Sequence, residues 1–149
     1  MTIIYGDTET GKSTVATSLI RNKKNSLYLI LDKDVSIMNR LKRDKTEFCL
    51  MDNCFLLDIK YRLLENGGLI NNDLEYVVID SINFIKDQKT YSEKIEYIDE
   101  MARDFNIKII LVFNTLKNSY KIRKFIDSIE VHKKIDVEKI TQQVSQFPL

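Results

Sequence analysis

The stretch from Ile3 to Ile20, IIYGDTETGKSTVATSLI, constrains the fold of this chain more than any other part of its sequence. It contains the complete pattern G-x-x-x-x-G-K-[ST], from Gly6 to Ser13, directly after a short apolar run and before apolar residues at helical spacing. This order predicts a buried strand at Thr2–Tyr5, a glycine-bounded loop, and a helix from about Lys12 to Arg21. Such a turn directs backbone N–H groups and the positive end of the helix dipole at one point, where a phosphate group binds.

This P-loop, or Walker A, pattern predicts a role for each of its residues. Lys12 is expected to reach the β- and γ-phosphates of a nucleotide, and the Ser13 hydroxyl to be a ligand of Mg²⁺. The alternative is a glycine-rich turn with an incidental lysine. The predicted nucleotide-binding residues are Gly6, Asp7, Thr8, Glu9, Thr10, Gly11, Lys12, Ser13 and Thr14.

Short apolar runs and helical patterns alternate along the rest of the chain, which is typical of parallel βαβ units. Further strands are predicted at Ser26–Leu31, Glu47–Met51, Tyr76–Ile79 and Ile107–Phe113. Helices are predicted at Val35–Leu41, at the stripe of Leu56, Ile59 and Leu63 that stops at Gly67-Gly68, and at Tyr91–Asp104. The tail FIDSIEVHKKIDVEKITQQV alternates in a way that predicts two more strands forming a hairpin. The expected fold is a single α/β domain over residues 1–149: a three-layer sandwich with a mostly parallel central sheet and C-terminal antiparallel strands.

Two of the predicted strands end in polar residues suited to the chemistry of a nucleotide. Asp80 follows the apolar run YVVI, and a carboxylate there stands at the crevice where parallel sheets bind ligands. It is predicted to hold a water of the Mg²⁺ bound by Ser13, with a plain turn or cap as the alternative. Asn114 and Thr115 follow the last central strand, where a polar side chain can sense the γ-phosphate; a solvated turn is the competing interpretation.

Hydrolysis needs a further group that orients or deprotonates water. The strand LYLIL is followed by two carboxylates, Asp32 and Asp34, on the same sheet edge. Each is a candidate, and N-capping of the following helix is the alternative role for both.

Together these segments resemble the core of the RecA/KaiC-type ATPase family over nearly the whole chain. The matching segments are GDTETGKST as the phosphate loop, LYLILDKD as the strand ending in the catalytic carboxylate, VVIDS as the Mg²⁺ strand, LVFNTLKN as the sensor strand and FIDSIEV as a later strand. The resemblance implies a RecA-like P-loop fold with ATP and Mg²⁺ as cofactors. It also implies that Asp34, Lys12 and Asn114 carry catalysis, although the family's base is usually a glutamate, one carbon longer than Asp34.

The resemblance also implies partners. It is to the small phage and mobile-element members of the family, without an oligomerisation segment or an added DNA-binding domain. In RecA-like proteins the loops corresponding to Ser81–Thr90 and Thr115–Lys124 face single-stranded DNA. The second loop is locally basic around an aromatic residue, a combination that suits a strand-tracking groove, although solvated charge is the alternative. Its candidate DNA-binding residues are Lys117, Tyr120, Lys121, Arg123 and Lys124. Lys117 and Lys121 are also candidates to reach the γ-phosphate of a neighbouring copy.

Composition limits these options. With 23 Lys and Arg against 22 Asp and Glu, the formal net charge of +1 provides no global field for nucleic acid, so any contact requires a local patch. No apolar run is long enough for a signal peptide or a membrane span, and Cys49 and Cys54 are expected to be reduced thiols, so the sequence predicts a cytoplasmic protein without a membrane partner.

The sequence leaves two functions from different classes. The first is an ATPase coupled to single-stranded DNA in recombination, repair or replication. The second is a slow or non-catalytic nucleotide-binding subunit whose ATP state controls assembly with itself or a related protein. A small-molecule kinase is weaker, because no arginine-rich lid is visible and Arg40 and Arg43 lie close to a helix.

Overall fold

A computed structural model describes residues 1–6, 11–31, 34–51, 74–82, 88–114 and 127–130 of the chain. These residues form six strands and three helices. The strands are β1 (Thr2–Gly6), β2 (Ser26–Ile30), β3 (Glu47–Leu50), β4 (Tyr76–Ile82), β5 (Lys108–Asn114) and β6 (Asp127–Glu130). The helices are α1 (Lys12–Ile20), α2 (Val35–Arg43) and α3 (Gln88–Asp104). The predicted helical stripe from Leu56 to Leu63 lies outside the described residues.

The six strands form one sheet in the order β3-β2-β4-β5-β1-β6, and every pair is parallel. Parallel strands covered by helices on both faces are continuous apolar runs, as YVVI and IILVF are here. β6 lies within the predicted C-terminal hairpin and pairs parallel with β1. The second strand of that hairpin, and with it the predicted antiparallel pairing, lies outside the described residues.

Alternate residues of the strands enter two separate apolar clusters, one on each face of the sheet. Ile4 and Val78 pack with α1 and α2, whereas Ile3 and Ile79 pack with α3. The helices contribute apolar residues at helical spacing: α1 adds Val15, Ala16, Leu19 and Ile20 to the first cluster, and α3 adds Ile95, Ile98 and Ala102 to the second. The described part of the chain is therefore the predicted three-layer α/β sandwich.

Helices α2 and α3 both return to the sheet through a residue in the left-handed region. Lys45 has a φ of 56° and Asn106 a φ of 52°. After α2 the N–H of Thr46 donates to the Leu41 carbonyl at 2.9 Å and that of Lys45 to the Lys42 carbonyl at 3.2 Å, which is a Schellman motif. These turns lie at the amino ends of the strands. The polar residues that follow the strands, and the loops after them, therefore lie together at the carboxyl end of the sheet.

One strand, β5, separates the glycine-bounded turn after β1 from Asp80 on β4. In the β1–β5 pairing Gly6 aligns with Asn114, and in the β4–β5 pairing Asp80 aligns with Val112. The sheet thus brings β1, β5 and β4 side by side at their carboxyl ends. No helix within the described ranges is both long enough and apolar enough to cross a membrane.

Candidate functional site

The turn between β1 and α1 is described at both of its ends. Gly11 precedes the helix with φ 99° and ψ 21°, a left-handed conformation that glycine adopts without steric cost. Gly11 has no side chain to accept a hydrogen bond, so it does not cap the first backbone N–H groups of α1. Four predicted loop residues, Asp7, Thr8, Glu9 and Thr10, lie outside the described residues.

Lys12 is the first residue of α1 and is nearly buried, with 5% of its surface exposed. Its Nζ donates a hydrogen bond to the carbonyl oxygen of Gly6 at 2.9 Å, across the base of the turn. A buried ammonium needs polar partners, because removing an unpaired charge from water costs far more free energy than removing a neutral polar group. The contact therefore fixes the positive charge between the two ends of the predicted phosphate loop.

Ser13 and Asp80, which the sequence predicts as metal ligands, are in direct contact. The Ser13 Oγ donates to Oδ2 of Asp80 at 2.7 Å, although 67 residues separate them along the chain. Asp80 is only 5% exposed. One hydroxyl and one carboxylate fit Mg²⁺, which binds hard oxygen ligands and takes the rest of its shell from phosphates and water. Within the described residues no group of three or more His, Cys, Asp and Glu forms a metal site, so a cation there would depend on such added ligands.

Tyr28, which no sequence pattern indicated as a site residue, also contacts Asp80. Tyr28 lies on β2, is fully buried, and donates its hydroxyl hydrogen to the same Oδ2 that accepts from Ser13. Burial, and then the negative charge of Asp80, raise the pKa of Tyr28 well above its ordinary value, so the hydroxyl stays protonated as a donor. Strand parity is the signal that could have found it. Ile30 aligns with Asp80, and the residue two positions earlier shares the same sheet face.

Asp34 caps helix α2. Its Oδ1 accepts hydrogen bonds from the Ser36 backbone N–H at 2.9 Å, the Ser36 hydroxyl at 2.7 Å and the Ile37 N–H at 3.3 Å. The Ser36 hydroxyl contributes most to a lowered pKa of the Asp34 carboxyl, the two backbone donors add to it, and slight burial opposes it. The N-capping role that the sequence left open is thus the contact observed, and a carboxylate with a lowered pKa is a weak proton acceptor. The other candidate, Asp32, lies outside the described residues.

Arg40 is a second residue whose place in the site was not predicted. From α2 its Nη1 donates to Thr14 Oγ1 at 2.8 Å and to Thr17 Oγ1 at 3.3 Å, both on α1. Thr14 directly follows Ser13, so Arg40 ties the helix capped by Asp34 to the first turn of the helix that carries the predicted metal ligand. From the sequence alone, Arg40 is a candidate only for the lid of a kinase, and a weak one.

Asn114 occupies the carboxyl end of β5, where its backbone aligns with Gly6. The structure therefore places the backbone of this predicted sensor residue beside Gly6, at the start of the glycine-bounded turn. The predicted DNA-binding residues all lie outside the described residues: Lys117, Tyr120, Lys121, Arg123 and Lys124.

The parallel sheet, the glycine-bounded turn from β1 into α1 and the contact between Ser13 and Asp80 are the arrangement that the P-loop pattern of the sequence predicts. No model of a known protein family matches the chain, and no curated protein matches its sequence. Among solved structures, the RadB recombinase is similar at a TM-score of 0.46 and 18% identity, over 74% of this chain and 59% of that chain. DnaI is similar at a TM-score of 0.33 and 9% identity, over 98% of this chain and 95% of that chain. The matched region thus spans less than two thirds of RadB, and both likenesses are too remote to bear on activity or partners.

Proposed function

We propose that this chain is a RecA-like P-loop ATPase domain that binds and hydrolyses ATP with Mg²⁺. The observation that carries the proposal is the 2.7 Å hydrogen bond between Ser13 and Asp80, next to the buried ammonium of Lys12. These three side chains come from two elements that meet only in the folded sheet. They offer a cation and two magnesium-type oxygens at the N-terminus of α1, which is the set of groups that a triphosphate with its metal requires.

In this proposal each residue acts on a different part of the nucleotide. The Lys12 ammonium neutralises charge on the β- and γ-phosphates, and the N–H groups of the α1 N-terminus bind phosphate oxygens. Mg²⁺ would be held by the Ser13 hydroxyl and, through water, by Asp80, and it supplies charge stabilisation during phosphoryl transfer. Asn114, at the end of β5, would sense the γ-phosphate, and Asp34 would orient the attacking water.

The finer part of the proposal is that single-stranded DNA stimulates hydrolysis. It is supported by the sequence of the segment that follows β5, where Lys117, Lys121, Arg123 and Lys124 surround Tyr120. Because β5 also ends in Asn114, a strand bound to that segment would be connected directly to the residue proposed to sense the γ-phosphate.

The test is the steady-state rate of ATP hydrolysis with and without single-stranded DNA, using Lys12→Ala as the blank. We expect DNA to raise the rate of the parent chain, and the double charge reversal Lys121→Glu with Arg123→Glu to abolish that rise. The matched control is Lys24→Glu with Lys42→Glu, which changes net charge equally at two exposed positions towards the amino end of the sheet. If the first double variant responds to DNA like the parent, the proposed groove is wrong.

One observation favours a second candidate, a slow nucleotide-binding subunit whose ATP state controls assembly. The Asp34 carboxylate accepts three hydrogen bonds as a helix cap and has a lowered pKa, both of which oppose its use as a base. This candidate predicts that ATP is bound but hydrolysed slowly, and that molecular mass measured by light scattering changes with ATP. An unchanged mass at high protein concentration would argue against it.

A further inference from the structure

The hydroxyl of Tyr28 lies inside the core, in contact with Asp80, the carboxylate that is proposed to hold Mg²⁺. The side chain has no exposed surface, and its ring belongs to the apolar cluster that joins the sheet to α1 and α2. For packing alone a phenylalanine would serve equally well at this position. A buried phenol instead requires a partner for its O–H group, and here the partner is the Asp80 carboxylate.

Asp80 receives hydrogen bonds from two different elements at the same oxygen atom. The Ser13 hydroxyl approaches Oδ2 from α1 at 2.7 Å, and the Tyr28 hydroxyl approaches it from β2. Two donors on one oxygen restrict the rotation of the carboxylate about its side-chain torsions. Ser13 is itself a proposed metal ligand, whereas Tyr28 is a fully buried residue of β2 that is not proposed to bind the cation, so its hydroxyl is free to serve Asp80 alone.

We infer that Tyr28 is a positioning residue, which holds the Asp80 carboxylate in the orientation that Mg²⁺ requires. This inference rests on the proposed function. Hydrogen-bond partners behind a metal ligand fix its orientation, and their loss typically lowers metal affinity by about 10- to 100-fold. Since Asp80 is buried and also contacts Ser13, we expect the low end of that range for removal of the Tyr28 hydroxyl.

The experiment separates metal binding from nucleotide binding and does not depend on turnover. The dissociation constant of a fluorescent ATP analogue is measured in excess EDTA and again at saturating Mg²⁺. The ratio of the two constants is the coupling between metal and nucleotide. Tyr28→Phe removes one oxygen and keeps the ring, so the core packing is retained, and thermal unfolding verifies this.

Tyr76→Phe is the matched control, because it also removes a phenol oxygen. Tyr76 lies at the amino end of β4, whereas Asp80 lies towards the carboxyl end of the same strand. The Tyr76 ring lies near the ammonium groups of Lys23 at 5.6 Å and Lys108 at 5.7 Å, away from the proposed metal. We expect Tyr28→Phe to reduce the ratio by about tenfold with the EDTA value unchanged, and Tyr76→Phe to reproduce the parent chain. In an Asp80→Asn background, Tyr28→Phe should cause no further loss, since the two residues act as one unit.

Three outcomes would overturn the inference. A ratio in Tyr28→Phe that equals or exceeds that of the parent means that the hydroxyl does not assist metal binding. An equal loss of affinity in EDTA and in Mg²⁺ means that Tyr28 supports the site as a whole rather than the metal. A parent chain that binds the nucleotide equally well with and without Mg²⁺ refutes the proposed metal site, and the inference with it. Failure of the inference alone is therefore distinguishable from failure of the proposed function.

Discussion

Asp34 has two proposed roles, and substitution by asparagine or alanine separates them. As a cap, its Oδ1 accepts hydrogen bonds from two backbone N–H groups of α2 and from the Ser36 hydroxyl. Replacing an N-cap aspartate by alanine costs about 1 kcal/mol of folding free energy, whereas asparagine is an equally good cap. The helix dipole favours the negative charge by a further few tenths of a kcal/mol, which Asp34→Asn loses. We therefore expect Asp34→Ala to be destabilised by about 1 kcal/mol and Asp34→Asn by less than half as much.

The pH dependence of this difference follows from the lowered pKa of the Asp34 carboxyl. A carboxyl whose pKa is lower in the folded than in the unfolded chain contributes stability above its unfolded pKa, about 3.9, and loses it as the pH falls through its folded pKa. Urea unfolding at neutral pH should thus show the full difference between the parent and Asp34→Ala, and unfolding below about pH 3 a smaller one. Equal stability of the two chains at neutral pH would refute the capping argument.

The same pair of variants tests the catalytic role. Asp34→Asn keeps the cap but has no negative charge to orient or deprotonate the attacking water, so the ATPase proposal predicts a rate of hydrolysis reduced by at least about 100-fold. If Asp34→Asn hydrolyses ATP at the parent rate, Asp34 serves only as the cap of α2.

Two further predictions concern the elements that support the site. Lys45 has a φ of 56°, where a side chain is strained, so Lys45→Gly should raise the free energy of unfolding by about 0.5–1 kcal/mol in urea unfolding; a decrease would contradict this. Arg40→Met keeps the apolar stem but removes the two hydrogen bonds to α1, which should cost about 1.5–3 kcal/mol in the same assay. Arg43→Met, on the same helix but exposed, is the control, and an equal effect of both substitutions would refute the proposed link.

Much of the fold could be predicted from the sequence because its elements differ in periodicity. Continuous apolar runs such as YVVI gave strand positions within a few residues, and the helical spacing of Ile95 and Ile98 located both α3 and its buried face. Strand order was not predictable in this way, because it depends on how the crossover helices pack. The position of β5 between β1 and β4, which places Asn114 beside Gly6, became visible only in the structure.

In the candidate site, too, residues in local patterns were predictable, whereas contacts between residues distant in sequence were not. A local pattern predicts Lys12 and Ser13 as site residues, and an apolar run ending in a carboxylate predicts Asp80; the structure brings Ser13 and Asp80 into contact. Tyr28 and Arg40 were not predicted, because each contacts residues that are distant in sequence. Tyr28 reaches Asp80 through the pairing of β2 with β4, and Arg40 reaches Thr14 through the packing of α2 on α1. A tyrosine inside an apolar run resembles any other core residue until strand register shows which polar group faces it.

A calorimetric titration of the chain with ATP in the presence of Mg²⁺ shows whether the turn after β1 binds a nucleotide. Lys12→Ala is the matched variant. It removes the ammonium group that lies 2.9 Å from the Gly6 carbonyl oxygen, across the base of the turn. A hydrogen bond to a charged group contributes about 1.5–3 kcal/mol, so we predict saturable binding by the parent and an affinity at least about tenfold lower in Lys12→Ala. The absence of ATP binding by the parent, or an equal affinity of the two chains, would mean that this turn is not a nucleotide site.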